Sequence, residues 1–147
     1  MADPVREQIF DAIVTDLSAS TGINKVTRSL TSFWDWQISD FPGVSLIPGE
    51  SEITRIAVDS TVATWMDREG RQSLIVRGYV QDMGGEIENK LADLIKAVAV
   101  VVETSTTIRA NTLDVQYVGN DVTENVENYG ICDVKFKIFY HFNHLLP

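Results

Sequence analysis

The residues of this chain with the greatest potential for chemistry are two histidines and one cysteine near its C-terminal end. His141 and His144 are three residues apart, a spacing that does not place both on one face of a strand, and no carboxylate adjoins them to orient a metal-bound imidazole. Cys132 is the only cysteine, which excludes an intrachain disulfide and a zinc site built on cysteine pairs. We expect His141 to face solvent or an interface and Cys132 to act as a small buried apolar residue.

Carboxylates and glycines also fail to form a recognisable catalytic or ligand-binding set. Residues 119–125 carry acids but lack the alternating oxygen ligands and fixed glycine of a calcium loop, so a cation site there is only the less favoured alternative to a solvated or partner-facing segment. Gly84 and Gly85 precede a predicted helix, but Glu86 and Glu88 occupy the end at which an anion would bind. We therefore predict no catalytic residue, no metal ligand and no cofactor, and expect the protein not to be an enzyme.

Hydrophobic periodicity predicts the elements that position these residues. Apolar residues at helical spacing predict helices over about 4–19 and 86–103. Strand patterns cover 44–47, 53–58, 61–66, 72–81, 113–118 and 130–142, and a short strand is plausible at 23–30. The predicted fold is α/β (α+β), with one mixed or antiparallel sheet, both helices on one face and the order α-β-β-β-β-α-β-β. We expect a single domain over residues 1–147.

Turn residues and glycines set the predicted boundaries. Pro48 and Gly49 are expected to close a short strand, and residues 67–70 to form a hairpin turn. Residues 119–129 are predicted to form an acidic loop. Gly78, inside a strand pattern, marks a bulge or a close approach.

Composition and charge narrow the possible partners. The 147 residues include 44% hydrophobic and 22% charged residues, and the net charge is −9. Such a surface repels nucleic-acid phosphates and anionic lipid, although it suits a passage through which DNA slides without sticking. No apolar run reaches the roughly 18 residues that would span a bilayer, and the first residues lack the pattern of a signal peptide. We expect no membrane partner and assembly in a cytoplasm.

Several aromatic and apolar residues are candidates for a subunit or partner interface. Trp34, Trp36 and Phe41 lie in a polar segment, and core or interface packing is favoured over a stacking platform for bases or sugars. The sheet face opposite the helices carries more apolar side chains than solvent normally allows. The complete candidate set, with the acidic residues of the predicted loop, is Trp34, Trp36, Phe41, Ile75, Tyr79, Asp121, Glu124, Glu127 and Phe139.

The order and spacing of several short motifs give the chain a resemblance to a known family. Residues 41–50, Phe-Pro-Gly-Val-Ser-Leu-Ile-Pro-Gly-Glu, follow an N-terminal amphipathic helix. Residues 73–80 form a strand pattern that leads into the second helix, and Tyr129-Gly130-Ile131 opens a long last strand. In this arrangement the chain resembles the tail terminator (tail completion) proteins of long-tailed bacteriophages over nearly its whole length. The Trp-rich segment 31–40 departs from that pattern.

The resemblance implies a structural virion protein of the tail or neck. It implies a small α/β domain in a hexameric ring that caps the tail tube, stops its polymerisation and docks the head or its connector. The implied partners are further copies of the chain, the tail tube protein and a head-tail connector or neck protein, while DNA passes through the lumen without specific binding. The alternatives are a head-to-tail connector or neck protein and, more distantly, a small-ligand-binding domain or an enzyme.

A ring makes two expectations specific. The acidic residues of segment 119–129 should lie at a subunit or partner surface or face the lumen. At least one of Ile75, Tyr79 and Phe139 should be buried between subunits, so that a charge at Tyr79 leaves a folded monomer.

Overall fold

The computed structural model describes residues 4–28, 36–55, 67–82, 84–110, 112, 114–125 and 128–143. Helices α1 and α2 and a short α3 combine with five strands, and a single 3₁₀ turn lies between β1 and β2. In chain order the elements are α1 Pro4–Ser18, β1 Lys25–Thr27, the 3₁₀ turn Ile38–Asp40, β2 Gly43–Arg55, β3 Asp67–Gln81, α2 Ile87–Thr104, α3 Thr106–Ala110, β4 Asp114–Asn125 and β5 Tyr129–Asn143.

The strands form one mixed sheet with the order β1-β2-β3-β5-β4. The short β1 runs parallel to β2, and the other three pairings are antiparallel. This arrangement confirms the fold class that the sequence predicted. Three strands, rather than four, precede α2 in the described residues, and the predicted strand at 61–66 lies outside them.

One face of the sheet is buried under the helices because its strands alternate apolar and polar residues. On β5 the side chains of Cys132, Val134, Phe136, Ile138 and Tyr140 are all buried, as the period of two predicts. The apolar stripe of α2 covers them, with Ile87, Leu91, Leu94, Val98 and Val102 buried. Helix α1 adds Ile9, Phe10, Ile13 and Leu17 to the same core.

Close approach of α2 to the sheet depends on two glycines on neighbouring strands. A Cβ atom at Gly78 of β3 would lie 2.6 Å from Leu94 Cδ2, and one at Gly130 of β5 would lie 2.7 Å from Leu91 Cδ1. Gly78 is therefore a point of close approach, one of its two predicted roles.

Polar contacts fix the ends of the helices. Asp82 accepts hydrogen bonds from the backbone N–H groups of Gly84 (2.9 Å) and Glu86 (3.0 Å), and these bonds lower the pKa of its carboxyl. Ser105 donates to Asp16 of α1 and accepts the N–H of Ile108 at 3.1 Å, which ties the start of α3 to α1. In the described residues, no helix is long and apolar enough to cross a membrane.

Three of the predicted boundaries are wrong, and each error places a turn or loop where the chain forms a strand. Strand β2 continues past Pro48 through a bulge between Pro48 and Ser51. The buried Gln72 side chain donates to the carbonyl of Gly49 at 3.1 Å, which satisfies a group that the bulge takes out of the ladder.

The other two errors concern β3 and β4. Residues 67–70, predicted as a turn, begin β3, because they pair with β2 on one side and with β5 on the other. Most of the predicted acidic loop is the second half of β4, which pairs with β5 as far as Asn125 and contains one bulge, between Val122 and Glu124. Asp121 and Glu124 therefore lie on an edge strand rather than on a projecting loop.

Candidate subunit and partner interface

The predicted aromatic cluster forms in part, on the sheet face opposite the helices. Trp36 packs against Phe41, with ring centroids 5.5 Å apart, and meets the ring of Tyr79 edge-on at 5.1 Å. The ammonium of Lys25 lies 5.2 Å from the Trp36 ring centroid. A Cβ atom at Gly43 would lie 2.4 Å from the Trp36 ring, so the absence of a side chain at Gly43 leaves room for the indole to pack on β2. Trp34 lies outside the described residues.

This packing changes the role expected for Tyr79. The side chain is only 2% exposed, although it lies on the face away from the helices. Because Trp36 of the same chain packs against it, Tyr79 is buried within the chain and presents little surface to a neighbour.

Ile75 and Phe139 remain half-buried on that second face. Ile75 pairs with Lys135 and Phe139 pairs with Arg71, so both apolar residues stand beside basic neighbours on adjacent strands. The Arg71 guanidinium lies 5.7 Å from the centre of the Phe139 ring. Both residues stay candidates for an interface.

The acidic candidates lie at the β4 edge. Asp121 pairs with Lys135 Nζ at 2.6 Å, and this contact raises the pKa of the lysine. A hydrogen bond involving Glu124 raises the pKa of Tyr129. Glu127 lies outside the described residues. The two described acids are exposed and stand opposite Asp133 and Ile131, which are two residues apart on β5. They therefore lie near each other on the sheet face away from the helices and can serve as one contact surface.

A charged pair that the sequence analysis did not single out fixes β3 against β5. Arg77 and Asp133 stand directly opposite each other and form two hydrogen bonds, of 2.7 Å and 3.1 Å. Asp133 is 6% exposed, and its carboxylate raises the pKa of Arg77. Such a bidentate cross-strand pair specifies the strand register. No sequence signal identifies it, because the pairing is known only once the register is known.

Removing the Asp133 carboxylate is expected to destabilise the chain. Asp133→Ala leaves the guanidinium of Arg77 partly buried without its partner, which should cost about 2 kcal/mol of unfolding free energy. Urea denaturation provides the measurement. Asp121→Ala, which breaks an exposed pair on the same face, is the control and should barely move the midpoint; equal effects of the two variants would contradict a special role for Asp133.

Cys132 is a buried free cysteine, as predicted. Burial raises the pKa of its thiol to about 11, so the thiol stays protonated and poorly nucleophilic at neutral pH. Among the described residues, no group of His, Cys, Asp and Glu side chains is arranged to hold a metal ion. His144 and the side chain of His141 are not among them.

Apolar surface at β4 is the feature that the sequence analysis missed. Tyr117, Val118 and Val122 are 37%, 62% and 51% exposed. Tyr117 stands opposite Phe136 and Val122 opposite Cys132, so both lie on the helix side of the sheet beyond the cover of α2. Tyr117 and Val118 fall within the predicted strand 113–118, and for Val122 a prediction of strand beyond residue 118 would have been the signal, because an edge strand exposes its side chains where a loop has no fixed faces.

Comparison with known proteins gives a likeness of fold. The sequence matches no protein-family model and no curated protein. Among solved structures, the fold is similar to a chain of a structure described as the virion of a native gene transfer agent (GTA) particle, with a TM-score of 0.54 and 9% sequence identity. The likeness covers 95% of this chain and 99% of that chain. It therefore extends over the whole fold rather than over one shared motif.

Proposed function

We propose that this chain is a structural protein of a phage-like virion and acts as a tail terminator. Copies of it form a ring, hexameric by the family resemblance, that caps the finished tail tube, stops its polymerisation and provides the surface on which the head or its connector docks. The ring holds no catalytic machinery, and DNA passes through its lumen without specific binding.

The observation that carries this proposal is the likeness of fold to a chain of a virion particle over almost the full length of both chains. The motifs that suggested the family support it from the sequence side. Residues 41–50 lead into and form the first part of β2, residues 73–80 lie on the central strand β3, and Tyr129 begins β5. Most of these residues thus belong to the sheet of this chain and not to peripheral loops.

Surface chemistry supports a self-associating protein. The edge strand β4 combines exposed apolar side chains with exposed acids, and an edge of this kind is used for pairing with another chain unless it is protected. The net charge of −9 disfavours adhesion of a DNA backbone to the walls of a channel.

The test is assembly with the tail tube protein of the same particle. We expect the purified chain to form rings, by light scattering over a concentration series and by negative-stain imaging, or to form them on tube ends. Adding it during tube polymerisation should narrow the length distribution and stop elongation. An acidic protein of similar size and charge is the control for non-specific effects.

The opposite result has a clear form. A chain that leaves tube growth unchanged and binds only the head-side connector would replace the terminator role with that of a neck protein. A chain that stays monomeric and binds neither protein would contradict a role in the tail altogether.

A further inference from the structure

We infer that neighbouring subunits join through an apolar strip on β4 of one copy and an apolar pocket beside α2 of the next, an inference that rests on the proposed ring. The β4 strip is Tyr117, Val118 and Val122. The α2 pocket has a volume of about 490 Å³. Its apolar lining consists of Ile38, Phe41, Pro42, Leu94 and Ala97, and the charged residues Lys90 and Asp93 also line it.

The strip and the pocket account for nearly all the exposed large apolar side chains. Five such side chains are exposed in the described part of the chain, and three of them form the β4 strip. A fourth, Ile38, lines the α2 pocket and is 83% exposed. Leaving these groups in water forgoes the free energy that burial provides, so their concentration at two places marks two contact surfaces.

The two surfaces lie on opposite sides of the molecule. Glu88 of α2 faces β4, because it accepts a hydrogen bond from Asn125 at 3.3 Å. Lys90, two residues further on and hence about 200° around the helix, lines the pocket. The pocket is completed by residues that precede β1 and β2, which lie at the sheet edge opposite β4.

This placement makes a second copy of the chain the occupant. With its own strip and pocket on opposite sides, one copy cannot fill its own pocket, but the strip of each copy can fill the pocket of the next. Such a contact is heterologous, and it builds a closed ring when the rotation between neighbours closes. One repeated contact then buries all four exposed apolar residues of the two surfaces.

Polar groups at the two surfaces are compatible with that contact. Gln81 lines the pocket, and its Oε1 atom is buried with no hydrogen-bond partner in the described residues. The outer edge of β4 presents backbone N–H groups that no further strand of the described residues pairs. An edge strand can therefore supply the type of donor that this acceptor lacks.

Three exposed apolar residues allow a matched test. Val122→Lys places a charge in the strip and Ile38→Lys places one at the pocket. Val100→Lys on α2 is the control, because Val100 is 50% exposed against 51% for Val122 and lies one helical turn beyond Ala97, outside the residues that line the pocket. Exposure lets all three variants fold, which circular dichroism and thermal melting verify. Sedimentation velocity should show the ring's subunit dissociation constant raised about tenfold or more by the first two substitutions and unchanged by the control.

Mixing the two defective variants tests the direction of the contact. Val122→Lys keeps an intact pocket and Ile38→Lys keeps an intact strip, so an equal mixture can make one sound contact per pair. We expect particles with the mass of two subunits, containing one copy of each variant, and no rings. A symmetric strip-to-strip contact predicts instead that Ile38→Lys alone still assembles.

The outcomes separate this inference from the proposed function. If both variants form rings with the affinity of the wild-type chain, the strip-and-pocket contact is wrong while the terminator role stands. The contact is equally wrong if the variants assemble normally and lose only tube binding, since another protein is then the occupant. If the wild-type chain never self-associates, alone or with tube protein, both ideas fall. If the wild-type chain forms open filaments instead of rings, and both variants lose them, the strip-and-pocket contact is supported and the role as a cap on the tail tube is refuted.

Discussion

Tyr79→Glu should destabilise the isolated chain by about 3–5 kcal/mol, measured as the free energy of unfolding in urea. The Tyr79 side chain is 2% exposed and packs edge-on against Trp36 at 5.1 Å. The substitution removes this aromatic contact and forces a carboxylate into its place, where water does not solvate it. The free energy of unfolding of a domain is only about 5–15 kcal/mol. A loss of this size should therefore cause partial or complete unfolding rather than leave a folded monomer.

Ile75→Glu is the control for this experiment. Ile75 lies on the same strand and the same face, four residues away, but it is half-buried. The carboxylate that the substitution introduces would reach solvent beside Lys135. We expect a loss of about 1 kcal/mol or less. A Tyr79→Glu protein with wild-type stability would show that Trp36 does not bury the side chain at position 79. Tyr79 would then again be a candidate interface residue.

The contrast with the sequence expectation has a physical cause. Periodicity correctly placed Tyr79 on the sheet face away from the helices, and that face normally meets solvent or a partner. The missing information was the path of the segment before β2, which brings Trp36 back over Gly43. Contacts between residues 36 and 79 depend on chain closure over a long separation, and local patterns carry no record of them.

Elements whose pattern agrees with their burial were predictable. Strand β5 and helix α2 each bury one face, so their apolar residues recur at periods of two and 3.6 and give both the type of element and the side that faces the core. Cys132 was placed correctly for the same reason, as one position in the buried row of β5.

Elements held by pairing rather than by pattern were not predictable. Residues 67–70 have turn-forming composition, yet β2 and β5 flank them and supply hydrogen bonds on both sides. The second half of β4 is exposed, so it carries no apolar alternation, and its strand structure depends on β5 alone. In both segments tertiary hydrogen bonding outweighs a local preference worth at most about 1 kcal/mol per residue.

The candidate interface shows the same division. Single residues with suitable chemistry, such as Trp36 and Asp121, were identifiable, but their grouping depends on register and on which edge of the sheet each strand occupies. Tyr117 and Val118 of the β4 strip fell within the predicted strand 113–118, but Val122 joined them only when residues 119–125 proved to be strand. The Arg77–Asp133 pair likewise needed the register of β3 against β5.

Gly78→Val is expected to cost about 3 kcal/mol of unfolding free energy through overpacking beneath α2. A Cβ atom at this position would lie 2.6 Å from Leu94 Cδ2 and 2.9 Å from Cys132 Sγ. Both neighbours are buried in the core and have no free space in which to move. Valine favours strands over glycine, but that preference amounts to no more than about 1 kcal/mol, so the steric term prevails.

The size dependence of the effect distinguishes sterics from a loss of glycine flexibility. Gly78→Ala should already cost about 1 kcal/mol, and the loss should grow with side-chain volume, because Gly78 adopts no positive φ angle that would demand glycine. Gly84→Val is the control: Gly84 is exposed, and a Cβ atom there would lie no closer than 3.4 Å to its nearest neighbour, Asp82 Oδ1, so its variant should stay within about 0.5 kcal/mol. If urea denaturation gives equal losses of unfolding free energy at the two positions, α2 does not pack closely against Gly78.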